Sequence, residues 1–195
     1  MDDEFNKVVE FHGHVCPGLA IGYRVAKYAK GHCSKSIDEE LVAIVENNSC
    51  SVDAIQRMLS CTFGKGNLIF KDYGKQVFTF YCRGDHKALR IYFKGKMPER
   101  MGELQERRIK NRLIKEEQKE LEGLREAYIL HILNASDDEL LSVRSVELPA
   151  PEKARIYPSL KCDECKESFM EIKGRTVCGK VVCMDCFEKL ADRCY

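Results

Sequence analysis

The residues best suited to chemistry are the 11 cysteines, which the sequence places in tight clusters. The most regular cluster is Cys162-x2-Cys165, followed after 17 intervening residues by Cys183-x2-Cys186. Four thiolates at this spacing can close a tetrahedral shell around a structural zinc ion. A segment of about 35 residues needs such a staple, because its apolar core alone is too small to hold a fold. We therefore predict a zinc site at these four cysteines.

The pattern between the four cysteines predicts the fold of this C-terminal segment. Residues 169–172 and 176–182 are expected to form a hairpin, and a helix is expected to start at Cys186. A knuckle, a hairpin and a helix together are typical of treble-clef or zinc-ribbon fingers. Cys178 and Cys194 are further thiols, and for each we favour a role outside the shell over ligand exchange.

A second cluster lies near the N-terminus, where residues 11–18 read Phe-His-Gly-His-Val-Cys-Pro-Gly. His12, His14 and Cys16 fall within five residues, directly before a helix that is predicted to start at Pro17. The helix dipole and the free N–H groups of the first turn would lower the pKa of a thiol at this cap. Cys16 is therefore a candidate ligand or nucleophile, although such residues taken alone are more often ordinary polar and packing residues.

A third cluster frames the next predicted helix, residues 51–60. Cys50 and Asp53 lie at its start, and Cys61 follows its end. Because the whole helix separates Cys50 from Cys61, one of these thiols is expected outside any mononuclear site. The turn at 64–66 (Gly-Lys-Gly) lacks the phosphate-loop spacing and is predicted to be a tight connection to the next strand.

Hydrophobic patterning predicts that these clusters sit on a mixed α+β core. Apolar residues at helical spacing indicate two helices before a five-residue apolar strand, and alternating residues indicate three later strands in a meander. The predicted helices are 4–11, 17–31 and 51–60, and the predicted strands are 41–45, 68–70, 76–82 and 88–93.

The segment from 98 to about 134 is predicted to be helical throughout, and 14 of the 24 residues from 103 to 126 are charged. One helix of this length would extend roughly 50 to 55 Å, more than a compact chain of this size accommodates. It must therefore project, break at a residue such as Gly123, or pack on another copy of the chain. We favour an arm exchanged in a homodimer over a bent helix in a monomer.

The expected organisation has four parts. They are the α+β core with a His/Cys pocket (1–97), a helical arm for dimerisation (98–148), a proline-containing linker (149–160) and the four-cysteine finger (161–195).

Global charge and hydropathy exclude two classes of protein. Lys and Arg number 32 against 31 Asp and Glu, so the basic excess that drives nucleic-acid binding is missing. No apolar run reaches 18 residues, and the N-terminus is acidic where a secretory signal would be basic. We expect a cytoplasmic protein that has no membrane contact and does not bind nucleic acid.

The segments 11–18, 50–54 and 64–76, followed by the four-cysteine finger, closely resemble the FmdE family, which is named for a component of formylmethanofuran dehydrogenase. The resemblance covers nearly the whole chain, and its His-Gly-His-x-Cys-Pro-Gly and Cys-Thr-x-Gly-Lys-Gly-Asn segments are specific in combination. It implies association with a molybdenum- or tungsten-pterin oxidoreductase that interconverts formylmethanofuran with carbon dioxide and methanofuran. It also implies an α+β core with a His/Cys pocket, an appended zinc finger and, for some members, a dimer.

The resemblance carries a core metal pocket onto this sequence. One His and two Cys plus water or substrate would make an open shell, and such mixed N/S ligands suit zinc, nickel or iron. The implied ligands are His12, His14, Cys16 and Cys61, with Cys50 and Asp53 as second-tier candidates.

Three functions compete. The first is a metal-binding accessory protein related to FmdE. The second is a stand-alone redox or group-transfer enzyme that uses Cys16 or Cys61 as a thiolate and His14 as a proton carrier. The third is a regulatory or protein-docking module built on the finger. The sequence lacks a dinucleotide fingerprint, a Walker motif and ferredoxin-like cysteine spacing, so an enzyme would depend on the metal or on a partner's cofactor.

Overall fold

A computed structural model describes residues 3–33, 41–84 and 87–191. The chain divides into two compact units, Met1–Lys153 and Ala154–Tyr195. The helices of the first unit are α1 (Asp3–His12), α2 (Pro17–His32), α3 (Ser51–Leu59), α4 (Glu99–Ile109), α5 (Lys115–Asn134) and α6 (Asp137–Leu140). Its strands are β1 (Leu41–Val45), β2 (Leu68–Phe70), β3 (Val77–Cys82), β4 (Lys87–Phe93) and β5 (Leu141–Val146).

The five strands form one mixed sheet in the order β2-β1-β3-β4-β5. The pair β1–β2 is parallel, whereas the other pairs are antiparallel. The predicted β3–β4 pairing is confirmed, but the predicted three-strand meander is wrong because β1 lies between β2 and β3. A short, wholly apolar strand such as β1 is suited to this central place, where both edges pair and both faces are covered.

The helices cover one face of the sheet. Leu41, Ala43 and Val45 of β1 join the main apolar core, to which α2 contributes most of its length. The alternate residues belong to a smaller cluster on the opposite face, which contains Val42 and Tyr81. All six residues of β3 are buried for this reason. The α+β fold class is therefore confirmed.

The segment that was expected to form one long helix is two helices, α4 and α5, which are held side by side. Arg100 donates to Glu120 from two nitrogens, each at 2.8 Å, and Arg107 pairs with Glu117. The chain bends at 110–114, where Asn111 adopts a left-handed φ of 53°.

The expected break at Gly123 does not occur, because this residue lies inside α5. Beyond it, Tyr128, Ile129 and Ile132 are buried in the main core, and β5 completes the sheet. The segment 98–148 therefore belongs to the first unit, and the homodimer remains a prediction.

Two cysteines of the first unit form a disulfide. Cys33, just after α2, is bonded to Cys82 at the end of β3, with the Cα atoms 6.0 Å apart. We expected the cysteines of this chain to be ligands or reactive thiols, and this pair differs from that expectation. None of the described helices is long and apolar enough to cross a membrane.

The second unit contains the four-cysteine finger. Its elements are β6 (Ser159–Lys161), β7 (Ser168–Met170), β8 (Arg175–Val177), β9 (Lys180–Val182) and α7 (Met184–Ala191). The predicted hairpin is wrong, since β7 pairs with β6 and β8 pairs with β9. Cys178 and Gly179 connect β8 to β9 with φ angles of 47° and 74°, the two-residue turn that matches the twist of a hairpin. The unit is consistent with a zinc ribbon.

Candidate functional site

The first component of the site is the start of α2. Cys16 is the N-cap in an extended conformation, and its Sγ accepts a hydrogen bond from the N–H of Leu19 at 3.4 Å. Pro17 occupies the first helical position, as predicted, where no N–H is needed. The thiol therefore lies against the positive end of a 16-residue helix, where a thiolate is favoured.

The second component is the start of α3, where Cys50 is the N-cap. Two glycines of α2 allow this end to approach closely. A Cβ on Gly22 would lie 2.1 Å from the carbonyl oxygen of Ser51, and one on Gly18 would lie 3.3 Å from the Cβ of Cys50. The N-termini of two helices therefore meet, and Cys16 and Cys50 are brought together.

The third component is His12, the last residue of α1, whose side chain is 10% exposed. Gly13 turns the chain out of the helix with a φ of 97°. His12 Nε2 lies 3.9 Å from Cys16 Sγ, and the ligand atoms of His12, Cys16 and Cys50 all lie within 4.8 Å of one another. This group, hereafter the core triad, can hold a metal ion.

Asp53, in the first turn of α3, contacts the other side of the imidazole. Its Oδ2 lies 2.7 Å from His12 Nδ1. A carboxylate at this distance favours the tautomer with the proton on Nδ1, which leaves the Nε2 lone pair directed at the cysteines. Burial, followed by the hydrogen bond and the charge of Cys16, raises the pKa of Cys50. One deprotonated thiol therefore makes loss of the second proton harder, and a cation would relieve this repulsion.

Two of the residues predicted for the pocket are not part of the core triad. His14 is exposed, and its ring lies 4.5 Å from the ring of His12. Cys61, beyond the far end of α3, is fully buried and donates from Sγ to the carbonyl of Leu41 at 3.4 Å. Cys50, the second-tier candidate, lies in the triad instead. The signal for this choice was the Gly18/Gly22 spacing, which puts two Cβ-free positions on one face of α2.

Cys61 is predicted to be inert towards alkylation in the folded protein. Burial raises its pKa to about 12, so about one thiol in 10,000 would be ionised at pH 8, and the side chain is enclosed by the core. Brief treatment of the metal-free protein with iodoacetamide, followed by peptide mass spectrometry, should modify half-buried Cys50 and leave Cys61 free. Equal labelling of the two thiols under native conditions would contradict the assignment of Cys61 to the core.

A polar network that sequence reasoning missed fixes the loop before α3. Asn47 Oδ1 accepts from the backbone N–H of Ser49 at 3.1 Å and from the hydroxyl of Ser51 at 3.2 Å. Gln76, next to β3, donates to Ser49 Oγ at 3.2 Å. Ser51 is fully buried, so these bonds satisfy a group that would otherwise lack a partner, and they hold the backbone that carries Cys50.

The second cysteine group is the finger. The sulfur atoms of Cys162, Cys165, Cys183 and Cys186 all lie within 4.8 Å of one another. Burial opposes ionisation of Cys162, but hydrogen bonds from the backbone at Cys183, Cys165 and Glu164 lower its pKa to about 6. Burial and the neighbouring thiols raise the pKa of Cys186 to about 12. Four sulfur ligands can hold a metal such as zinc in a closed shell, an arrangement typical of structural sites.

Cys178 and Cys194 were left outside the finger's shell in the sequence interpretation. Cys178 lies in the β8–β9 turn, is not part of the four-sulfur group and is disulfide-bonded. Cys194 lies outside the described residues.

The comparison with protein families decides the relationship. Residues 11–142 match the family described as FmdE, molybdenum formylmethanofuran dehydrogenase operon. The chain belongs to the FmdE family. The match includes the whole core triad and ends inside β5.

Two similar proteins extend the FmdE relationship. A crystal structure of an FmdE-like protein of tungsten formylmethanofuran dehydrogenase, from Syntrophus aciditrophicus, is 27% identical, with a TM-score of 0.59. The match covers 93% of this chain and 88% of that one. A protein named a probable S-adenosyl-L-methionine-binding protein in Archaeoglobus fulgidus is 31% identical over 173 residues. That match covers 83% of this chain but 47% of the relative, so the chain spans about half of that protein's length.

Family membership and the cysteine groups together support a subunit-like, metal-binding protein of the FmdE family. The recognition of this family from the sequence motifs is thereby confirmed.

Proposed function

We propose that this chain is a metal-binding accessory protein in which His12, Cys16 and Cys50 hold a transition metal ion in the core. The observation that supports this most directly is the convergence of their ligand atoms within 4.8 Å at the meeting point of three helix ends. Three protein ligands leave one tetrahedral position for water or a substrate. The finger, with four ligands, would hold zinc for structure.

The surroundings of the core triad suit a metal with thiolate ligands. Two helix N-termini point at the sulfurs and stabilise their negative charge. His12 is largely enclosed and held by Asp53, so its free nitrogen is already oriented. The mixed N/S set suits zinc, nickel or iron. A metal bound here would supply Lewis-acid activation of a bound water or substrate, while the protein residues would fix its position and keep the thiolates ionised.

The partner of such an accessory protein would be a molybdenum- or tungsten-dependent oxidoreductase. This part of the proposal rests on the family description and on the name of the Syntrophus protein. Homodimerisation and a cytoplasmic location belong to the same proposal.

Metal content per chain tests the core site. We expect about two equivalents in the wild-type chain after reconstitution with excess zinc, because the core and the finger each bind one ion. Cys16→Ser or Cys50→Ser should lower this to about one equivalent, since two remaining ligands hold an ion poorly. Cys61→Ser, a matched cysteine substitution outside the triad, should retain two. Elemental analysis after gel filtration provides the counts. Two equivalents in both Cys16→Ser and Cys50→Ser would refute the core site.

A second function is favoured by the line Asp53–His12–Cys16, in which a carboxylate orients an imidazole beside a thiol. This order of groups is the arrangement that activates a nucleophilic cysteine. It would support a thiol-dependent enzyme that needs no core metal. In that case the wild-type chain would bind one equivalent only, and His12→Ala would slow alkylation of Cys16 about 10-fold or more without changing metal content.

A further inference from the structure

We propose that Asp53, Gln56 and the backbone of Phe63 form a relay that positions His12 for the core metal. The relay connects the triad to the Thr-Phe-Gly-Lys-Gly-Asn loop, residues 62–67, to which the sequence pattern drew attention and which contributes no ligand. The inference rests on the proposed metal site. Its first step, however, concerns the imidazole alone and can be tested without metal.

The relay begins with a hydrogen bond to the imidazole. Asp53 Oδ2 accepts from His12 Nδ1 at 2.7 Å, a short bond between a side chain that is 10% exposed and one that is 36% exposed. This carboxylate is therefore engaged by the histidine. Its place is opposite the coordinating nitrogen, where partners of metal-bound histidines are normally found. Asp53 therefore acts as a positioning residue and not as a ligand, which revises its second-tier place among the ligand candidates.

The relay continues along α3 to the next loop. The other carboxylate oxygen, Oδ1, accepts from Gln56 Nε2 at 3.4 Å. Gln56 Oε1 in turn accepts from the backbone N–H of Phe63 at 3.5 Å. The amide of Gln56 can satisfy both contacts in one orientation only, with its oxygen towards the loop and its nitrogen towards the carboxylate. Each member therefore restricts the rotamer of the next.

The loop at the end of the relay is itself rigidly held. Asn67, 1% exposed, accepts from the N–H of Thr62 at 2.9 Å and donates to the carbonyl of Leu41 at 3.0 Å. Lys65 Nζ donates to the carbonyl of Ser60 at 3.1 Å. The N–H of Phe63 is therefore fixed relative to β1 and α3, and the orientation of His12 is coupled to the central sheet.

The closing experiment reads the imidazole directly. Long-range proton–nitrogen NMR spectra of the metal-free chain, recorded at pH 8, should show His12 with its proton on Nδ1. Asp53→Ala should convert it to a mixture in which the Nε2–H tautomer predominates, as in free imidazole side chains. Gln56→Ala should shift the ratio part of the way. Asp138→Ala, a matched change at an exposed carboxylate of α6, should leave it unchanged. An unchanged tautomer in Asp53→Ala would overturn the relay.

Metal affinity provides the second readout, with Co²⁺ as the probe. Asp53→Ala should weaken binding at the core about 10- to 100-fold and change the thiolate-to-cobalt charge-transfer band, the usual effect of losing such a partner. Asp53→Glu should restore part of the affinity. Asp53→Asn keeps the shape without the charge and serves if the alanine variant fails to fold. A chain that binds no Co²⁺ at the core but shows the Asp53-dependent tautomer would refute the metal site alone. Equal Co²⁺ affinity of wild type and Asp53→Ala would refute the positioning role.

Discussion

Replacing Cys186 with serine is expected to abolish zinc binding at the finger and to leave residues 154–191 without a stable fold. Apart from its cysteines, the buried cluster of this unit consists of Val177 and Val182, with a few partly buried neighbours such as Phe169. So few apolar side chains cannot offset the conformational entropy of ordering the chain. Structural zinc in small fingers contributes about 10–16 kcal/mol, so the metal dominates the stability of the unit. Removing one of four ligands removes most of that contribution.

Zinc content and amide NMR dispersion together measure this effect. In Cys186→Ser the resonances of the finger should collapse to unfolded positions, while those of residues 3–153 persist because that unit has its own apolar core. Glu188→Ser, at an exposed position of the same helix, should leave both zinc and dispersion unchanged. A well-dispersed, zinc-free finger in the Cys186→Ser chain would show that the unit folds without metal.

Most of the local structure could be predicted because its signals are local. Pro17 marked the first residue of α2, and the apolar run 41–45 coincides with β1. The four-cysteine spacing identified the group whose sulfurs converge. In each case neighbouring residues carry the information: a fixed φ, a run of apolar side chains, or a ligand spacing set by a turn.

The strand order and the shape of the charged segment depend on contacts that spacing does not encode. β1 separates β2 from β3 because its apolar residues gain most from the central position, a competition between strands far apart in sequence. The bend at 110–114 contains neither Gly nor Pro. It depends on Asn111 in the left-handed region and on Glu117, which accepts the N–H of Ile114 at the start of α5.

The candidate site was predicted in part for the same reason. His12 and Cys16 lie four residues apart, so their proximity follows from a short loop. The choice between Cys50 and Cys61 required knowing which end of α3 packs against α2. Linear spacing is silent on that point, and only the glycine at position 22 carries the answer.

Substituting Gly22 with alanine is expected to separate α2 from α3 and to disrupt the core triad. The new Cβ would lie 2.1 Å from the carbonyl oxygen of Ser51 and 2.6 Å from its Cα, both backbone atoms that no rotamer change can move. Overpacking of this kind costs about 1–3 kcal/mol or more in unfolding free energy. The helix must shift at the residue that follows Cys50. We therefore expect a lower melting temperature and a loss of Co²⁺ affinity at the core of about 10-fold or more.

Gly31→Ala, in the last turn of the same helix, is the matched control. A Cβ there meets no atom within 4 Å, so the change should act through helix propensity alone and raise the unfolding free energy by about 0.5–1 kcal/mol. Denaturant unfolding should therefore give opposite signs for two identical substitutions nine residues apart. The Co²⁺ titration should distinguish them again, with Gly31→Ala matching wild type. If Gly22→Ala were as stable as Gly31→Ala and bound Co²⁺ equally well, the close approach of α2 to α3, and with it the convergence of Cys16 and Cys50, would be disproved.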